Sequence, residues 1–170
     1  LKAVIAARWD RSSLVPSQLS PKAAIVWTPY DGQSLRATFN QAFQAPNYSE
    51  LYLFVKHPTS ALAYAGNENL QTEKITGYEL GYKGVFQNTL FLAVDAYFNQ
   101  LTDFVTDLGP GLNPKYPFPV ILAGDTVPRT IWSYTNAGKV NEAGCDISVN
   151  YYLSDSWLLD ANFTYFSFEV

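Results

Sequence analysis

The sequence predicts an all-β fold, an antiparallel up-and-down transmembrane β-barrel of which about seven strands are present. Apolar and polar residues alternate with a period of two over most of the 170 residues, as in strands with one apolar face. Long and short connections alternate between these strands. No apolar run approaches the roughly 18 residues that a transmembrane helix requires, so a closed barrel is the membrane architecture that fits.

Each strand is assigned from its alternation. The segment 89–101 is the clearest, because Leu90 and Val94 point to one face while Asp95 and Tyr97 point to the other. A helix would place Asp95 among apolar side chains, so the strand is favoured. By the same reasoning, strands are predicted near residues 2–9, 22–29, 34–42, 74–86, 89–105, 130–153 and 157–170.

The connections between the predicted strands sort into two lengths. Tight turns alternate with long loops, which cover residues 11–21, 44–72 and 106–129. Outer-membrane barrels have short periplasmic turns and long extracellular loops, whereas a Greek-key sandwich does not sort its loops by length. About seven strands cannot close a bacterial outer-membrane barrel, which has an even number of at least about eight. We therefore expect the chain to be an excerpt of a longer protein.

The composition restricts the function classes. Charged residues make up 15% of the chain and aromatic residues 16%, and the net charge is −4. This balance excludes a disordered tail and a coiled coil, and it provides no basic surface for nucleic acid. A single cysteine and a single histidine exclude an intrachain disulfide, a Cys-rich zinc site and paired histidine ligands.

No catalytic constellation and no cofactor site is predicted, so the chain is not expected to be an enzyme. His57 lies in a long loop without an orienting motif. Cys145 alternates onto an apolar face without a cationic neighbour that would activate its thiol. Asp103, Asp107 and Asp125 lack the dense spacing of a calcium-binding loop, so no metal site is expected.

Four segments carry recognisable motifs in a fixed order. Residues 36–52 end in Gln-Ala-Pro-Asn-Tyr-Ser-Glu-Leu-Tyr, and residues 66–83 run from Gly-Asn-Glu-Asn-Leu to Tyr-Glu-Leu-Gly-Tyr-Lys. Residues 96–105 read Ala-Tyr-Phe-Asn-Gln-Leu-Thr-Asp-Phe-Val, and residues 134–138 read Tyr-Thr-Asn-Ala-Gly. Together these segments resemble the barrel of TonB-dependent outer-membrane receptors over about residues 34–153. The departures, which are ordinary drift, are Gln44 for a usual Arg, Glu68 and Thr72 for usual prolines, and Asp146 for a common Glu.

The resemblance implies a late part of a barrel of about 22 strands, without its plug domain, TonB box and final strands. It implies a receptor in the outer membrane of a Gram-negative bacterium. The nutrient would be a ferric siderophore, cobalamin or an oligosaccharide, taken up with energy supplied through TonB. The implied partners are the bilayer with its lipopolysaccharide, the TonB complex through the plug region, and the small-molecule ligand. Two alternatives stay open: a soluble or surface-attached all-β carbohydrate-binding module, and a passive porin.

Two groups of candidate site residues follow. Charged residues on the polar face of the strands are expected to face a wet lumen, namely Arg36, Glu79, Lys83, Asp95 and Asp146. Glu79 is expected to pair with Arg36 or Lys83. Aromatic residues in and beside the long loops are candidate ligand contacts or, alternatively, packing residues, namely Tyr48, Tyr52, Tyr64, Tyr116, Phe118 and Trp132.

Overall fold

The computed structural model describes residues 1–56, 62–110, 119–122, 124–128 and 130–169. Its elements in chain order are β1 (Lys2–Asp10), β2 (Gln18–Trp27), β3 (Gln33–Gln44), α1 (Tyr48–Tyr52), β4 (Phe54–Lys56), β5 (Leu62–Ala65), β6 (Glu73–Phe86), β7 (Leu90–Thr102), β8 (Gly109–Pro110), β9 (Pro119–Leu122), β10 (Asp125–Pro128), β11 (Thr130–Ser133), β12 (Lys139–Ser154) and β13 (Trp157–Glu169). No helix in these ranges is long and apolar enough to cross a membrane.

Seven of the strands form one sheet, which we call the wall, in the order β1-β2-β3-β6-β7-β12-β13. Each wall strand pairs with the wall strands before and after it in the chain, and all of these pairings are antiparallel. This meander confirms the predicted all-β, antiparallel, up-and-down fold. The barrel is not closed within the described residues, because β1 and β13 are the two edges of the wall.

The wall has a turn end and a loop end. At the turn end, short turns join β2 to β3, β6 to β7 and β12 to β13. Gln87 and Asn88 have φ angles of 52° and 56°, as the two central residues of a type I′ turn require. At the loop end, longer segments join β1 to β2, β3 to β6 and β7 to β12. The two ends therefore differ in loop length, as the sequence predicted.

The register gives the wall two chemically different faces, because alternate residues of a strand point to opposite sides. One row across four strands lies on what we call the polar face and consists of Arg36, Gly81, Asp95 and Asp146. The adjacent row lies on the opposite side, the apolar face, and consists of Ala37, Leu80, Ala96, Cys145 and Tyr165. The apolar face is uncovered, since Leu80 is 66% exposed.

The predicted strand 130–153 is wrong as a single element, because the structure divides it into β11 and β12. Residues 134–138 leave the wall, and Thr135 and Ala137 exchange backbone hydrogen bonds with residues 104–106. Strand β7 ends at the level of this break, because the φ of 58° at Asp103 turns the chain out of β7. For the same reason the strand predicted over 89–105 ends at Thr102.

The predicted boundary between loop 11–21 and strand 22–29 is also wrong, because β2 begins at Gln18 and contains Pro21. Pro21 stands opposite Ala7 of β1, but it lies beyond the last pair between β2 and β3, which is Lys22 with Asn40. A proline has no backbone donor and fits in a strand where one side is unpaired. The ladder to β3 therefore starts after the proline.

The long loops fold into a small assembly with its own core. Its sheet, which we call the loop sheet, has the order β4-β5-β11-β8, and β5 runs parallel to β11. A separate hairpin pairs β9 with β10. The buried apolar residues of the described chain lie in this assembly, namely Leu51, Ala63, Ala65, Leu70 and Ile131. The predicted loops 44–72 and 106–129 therefore contain short regular elements.

Candidate functional site

A charged cluster lies on the polar face, where three neighbouring strands contribute one cation and two carboxylates. Nη2 of Arg36 on β3 donates to Oε1 of Glu79 on β6 and lies 2.9 Å from Oδ1 of Asp95 on β7. Oγ1 of Thr38 donates to Oε2 of Glu79 at 3.4 Å. The side chains of Arg36, Glu79 and Asp95 are 42%, 33% and 28% exposed. The cluster therefore ties β3, β6 and β7 together while keeping contact with solvent.

The cluster depends on a glycine in its middle strand. Gly81 of β6 stands between Arg36 and Asp95 in the same row of the wall. A Cβ atom at Gly81 would collide with Oδ1 of Asp95 and lie 3.3 Å from Nε of Arg36. The arginine and the aspartate therefore meet across β6 because position 81 has no side chain.

Asp146 and Lys83 flank the cluster, and neither forms an ion pair with another described residue. Asp146 stands opposite Asp95 in the register of β7 and β12, and it accepts a hydrogen bond from Oγ1 of Thr164 at 2.7 Å. Lys83 lines a shallow depression together with Arg36 and Asp95. The structure thus brings Arg36, Glu79 and Asp95 into contact and places Lys83 and Asp146 beside them. Arg36, Glu79, Asp95, Lys83 and Asp146 are three carboxylates and two cations, so these five side chains together carry one net negative charge.

Two further glycines on the polar face are covered by side chains from the neighbouring strands, which sequence reasoning missed. Tyr97 of β7 lies over its cross-strand partner Gly144 of β12. Gly77 of β6 lies between the amide side chains of Asn40 and Asn99, at 3.1 and 2.8 Å from a Cβ built there. The alternation shows which residues share this face, but only the register shows which large side chain stands opposite which glycine.

The Asn-Tyr-Ser-Glu-Leu-Tyr motif forms α1, a capped single turn at the loop end. Oδ1 of Asn47 accepts from the backbone N–H of Glu50 at 2.9 Å, and Oε2 of Glu50 accepts from that of Asn47 at 2.8 Å. Leu51 is buried, and its carbonyl carbon would lie 2.5 Å from a Cβ at Gly66. The N–H of Gly66 donates to the carbonyl of Leu53 at 2.6 Å. The glycine that opens the second motif therefore allows α1 to dock.

Three segments of the chain meet beyond the end of β7. We call their meeting point the junction, and it comprises residues 66–73, 103–106 and 134–137. Nδ2 of Asn67 donates to the carbonyl of Tyr134 at 3.0 Å. Oε1 of Glu73 accepts from the backbone N–H of Val105 at 2.7 Å. The Gly-Asn-Glu-Asn-Leu and Tyr-Thr-Asn-Ala-Gly motifs therefore lie side by side, although about 65 residues separate them. Sequence reasoning singled out both motifs without assigning them this contact.

The described candidate aromatic residues form two pairs. Tyr64 of β5 and Trp132 of β11 stand opposite each other in the loop sheet, with ring centroids 6.5 Å apart and an interplanar angle of 63°. Tyr48 and Tyr52 on α1 have ring centroids 5.0 Å apart. Their exposed fractions are 68% and 42%. The other two candidates, Tyr116 and Phe118, lie outside the described residues, as does His57.

Among the described residues, no group of three His, Cys, Asp or Glu side chains is arranged to hold a metal ion. Cys145 lies on the apolar face between Ala96 and Tyr165 of the adjacent strands. The chemistry that these residues offer is therefore charge pairing, hydrogen bonding and aromatic contact.

Comparison with known proteins identifies the family. The family model for the β-barrel of TonB-dependent receptor-like proteins matches residues 1–170, the whole chain. The chain belongs to the TonB-dependent receptors. Members of this family are transport receptors rather than enzymes, and they are outer-membrane proteins of Gram-negative bacteria. A comparison with curated proteins gives no match.

Solved receptor structures contain the same arrangement of strands. A mutant of the ferric enterobactin receptor PfeA from Pseudomonas aeruginosa, in complex with enterobactin, matches with a TM-score of 0.75 and 19% identity, over 97% of this chain and 24% of that chain. The siderophore receptor PirA from Acinetobacter baumannii gives a TM-score of 0.71 and 21% identity, over 96% and 25%. The FrpB iron transporter from Neisseria meningitidis gives 0.62 and 14%, over 90% and 20%. The chain thus spans about a fifth to a quarter of the length of these proteins, and the wall corresponds to part of a larger barrel.

Proposed function

We propose that the chain forms part of an outer-membrane receptor that binds a ferric siderophore outside the cell and imports it with energy supplied through TonB. The observation that carries this proposal is the two-faced wall, which has an apolar face, a charged polar face and folded loops at one end only. The similar structures include two siderophore receptors and an iron transporter, which favours iron chelates over cobalamin or oligosaccharides as ligands.

The apolar face would contact the bilayer. Its apolar residues extend along β6 from Tyr78 to Phe86, which is about 26 Å at about 3.3 Å per residue. A strand tilt of about 40° reduces this to about 20 Å, close to the apolar band of outer-membrane barrels. At the loop end, the next row on this face is polar and consists of Gln41, Thr76, Gln100 and Asn141. The apolar band therefore has a defined limit.

The proposed contact with lipopolysaccharide lies just beyond that limit. Lys74 and Lys139 flank Thr102 in one row, and both lysines are exposed. A lysine at the edge of an apolar band extends its ammonium group toward the head-group region. The phosphate groups of lipopolysaccharide in the outer leaflet would be its partners.

The polar face would line the lumen and meet the plug region through which TonB acts. Arg36 neutralises one of its two carboxylate partners, and Thr164 is the hydrogen-bond donor that the structure gives Asp146. The remaining negative charge favours basic side chains on whatever fills the barrel. Lys83 completes the set of five charged residues that we propose to face the lumen.

The ligand would be bound by aromatic side chains in the loops. Tyr64 and Trp132 alternate with the buried residues Ala63 and Ile131, so their rings lie on the side of the loop sheet away from its core. Such rings can stack on the aromatic or sugar rings of a chelate. We propose the same role for the second pair and for the remaining candidates, namely Tyr48, Tyr52, Tyr116 and Phe118.

An uptake experiment with the full-length receptor tests this function. Cells that express it are given iron-loaded siderophores, including ferric enterobactin, with and without a functional TonB. Saturable uptake that requires TonB is expected, and the double variant Tyr64→Ala/Trp132→Ala should weaken binding at least about tenfold. Tyr30→Ala is the matched control, because Tyr30 is 73% exposed at the turn end.

Three results would contradict the proposal. Uptake that persists without TonB would indicate a passive porin. Binding of cobalamin or an oligosaccharide, but of no iron chelate, would reassign the ligand. Carbohydrate binding by a protein that remains in solution without detergent would favour the carbohydrate-binding module, against which family membership argues.

A further inference from the structure

The side chain of Asn136 makes three hydrogen bonds to backbone groups of two distant segments. Its Oδ1 accepts from the N–H of Gln71 at 2.8 Å, and its Nδ2 donates to the carbonyl of Gln71 at 3.1 Å. The same Nδ2 donates to the carbonyl of Asp103 at 2.5 Å. One side-chain amide thus pairs with both backbone groups of Gln71, as a neighbouring peptide group does in a sheet.

These three residues mark the ends of three adjacent wall strands. Gln71 precedes β6 by two residues, Asp103 directly follows β7, and Asn136 precedes β12 by three residues. Strand β7 lies between β6 and β12 in the wall. Asn136 therefore spans the end of β7 and joins the segments that lead into both of its neighbours.

The same two segments lead in the other direction into the loop sheet. Residue 66 directly follows β5, and residue 134 directly follows β11. Because β5 and β11 are parallel neighbours, both chains leave the loop sheet side by side and reach the wall together. Two of the connections between the loop sheet and the wall are therefore adjacent, and Asn136 bonds them to each other and to the end of β7.

We propose that Asn136 is a positioning residue, which fixes the loop sheet and its Tyr64–Trp132 pair relative to the wall without touching the ligand. The inference rests on the proposed function for its effect on binding. Without the side chain of Asn136, the loop sheet keeps its own core and the other bonds of the junction, but its coupling to the wall is weaker and it moves more against the wall. Ligand binding must then order it, and this loss of preorganisation lowers affinity.

Hydrogen exchange and ligand binding, both measured on the full-length receptor, test this role. In Asn136→Ala, amides of 62–65 and 130–133 should exchange at least about tenfold faster, while those of 91–101 stay unchanged. The dissociation constant for ferric enterobactin should rise about tenfold with the number of binding sites unchanged. Asn162→Ala is the matched control, because Nδ2 of Asn162 bonds only to nearby Asp160, at 2.8 Å, among the described residues.

Hydrogen exchange and ligand binding together distinguish a failure of the role proposed for Asn136 from a failure of the proposed ligand. Unchanged exchange in the loop sheet would overturn the proposal, and so would faster exchange throughout the wall, since that would indicate a general structural role. Faster loop-sheet exchange with unaltered ferric enterobactin affinity would also overturn it. A wild-type receptor that binds no ferric enterobactin would count against the proposed ligand, while the exchange data would still decide whether Asn136 couples the loop sheet to the wall. If the alanine variant does not fold, Asn136→Asp keeps the side-chain shape, loses both Nδ2 donations, and must show the same pattern.

Discussion

The wall and the junction satisfy their backbone N–H and C=O groups in different ways. In the wall, hydrogen bonds between antiparallel neighbouring strands satisfy the backbone groups. Large side chains there remain exposed, and Leu80 is 66% exposed. In the junction, backbone bonds join residues 104–106 to residues 135–137, and the side chains of Asn67 and Asn136 take the place of further peptide groups. The adjoining α1 is anchored by Leu51, which is only 3% exposed.

The two regions also differ in how strictly they restrict the residue types at their positions. Most positions of a wall strand need only the alternation of apolar and polar residues, so many residue types can stand there, and Gly81 is an exception because a Cβ there would collide with Asp95. The junction needs particular residues, because each bond there depends on one side-chain length and one donor or acceptor. Parts of the segments that resemble the family lie at or beside the junction, namely residues 47–52, 66–73 and 134–138, while other parts, such as residues 78–83, lie in wall strands.

The largest effect is expected at Gly66 in the junction. Gly66→Val should destabilise the docking of α1 by about 4 kcal/mol or more, because its side chain would meet the backbone of Leu51 and Tyr52 at 2.5–2.6 Å. Faster hydrogen exchange at the amide of Asn67, which donates to Glu50 at 2.7 Å, would report this.

Gly138→Val is the control for this change, because a Cβ at Gly138 would meet nothing within 4 Å. Equal effects of the two substitutions would show that the junction tolerates exchange of residues as the wall does. Tolerance to substitution would then not distinguish the junction from the wall.

The next effect tests the wall. Leu80→Lys places a charge in the middle of the apolar face and should cost about 2–4 kcal/mol of folding free energy in lipid vesicles. Gln41→Lys, at the polar limit of the same face, should cost less than about 1 kcal/mol. Reversible unfolding in vesicles measures both. If the two costs are equal, the apolar face does not meet the bilayer core, and the tolerance of the wall needs another explanation.

The sequence predicts the wall well because period-two alternation is a local signal. It also places Arg36 and Glu79 on one face, but the bond from Arg36 to Asp95 depends on the register and on the absence of a side chain at Gly81. Neither property is local, so neither could be predicted from one strand at a time.

The junction could be predicted only as a set of motifs. Asn136 and Gln71 are 65 residues apart in sequence, and their contact arises because β6 and β12 both flank β7. The wrong strand over 130–153 has the same origin. It runs through residues 134–138, but these residues bond to the segment after Asp103 instead of to β7.

A smaller effect is expected from the charged cluster on the polar face, and it tests whether the cluster stabilises the wall. Arg36→Ala should destabilise the wall by about 1–2 kcal/mol, because Glu79 and Asp95 lose their shared cation while remaining partly exposed. Arg8→Ala should cost about 0.5 kcal/mol, since its pair with Asp10 is 66% and 40% exposed. Urea unfolding of the full-length receptor compares the two. A cost for Arg36 no greater than that for Arg8 would mean that the cluster adds nothing to the ladders around it.

The smallest effect is expected at α1, which adjoins the junction. It tests whether the local cap bonds of α1 act independently of the long-range bonds of the junction. Asn47→Ala removes one half of the capping box and should destabilise α1 by about 1 kcal/mol, so that the amide of Glu50 exchanges about fivefold faster. Ser49→Ala, one position inside the same helix, leaves both cap bonds in place and should change exchange little. The amides of the wall should be unaffected in either variant. If Asn47→Ala instead raises exchange as widely as Gly66→Val, then α1 and the junction unfold as one cooperative unit, and the cap is part of what holds the loops to the wall.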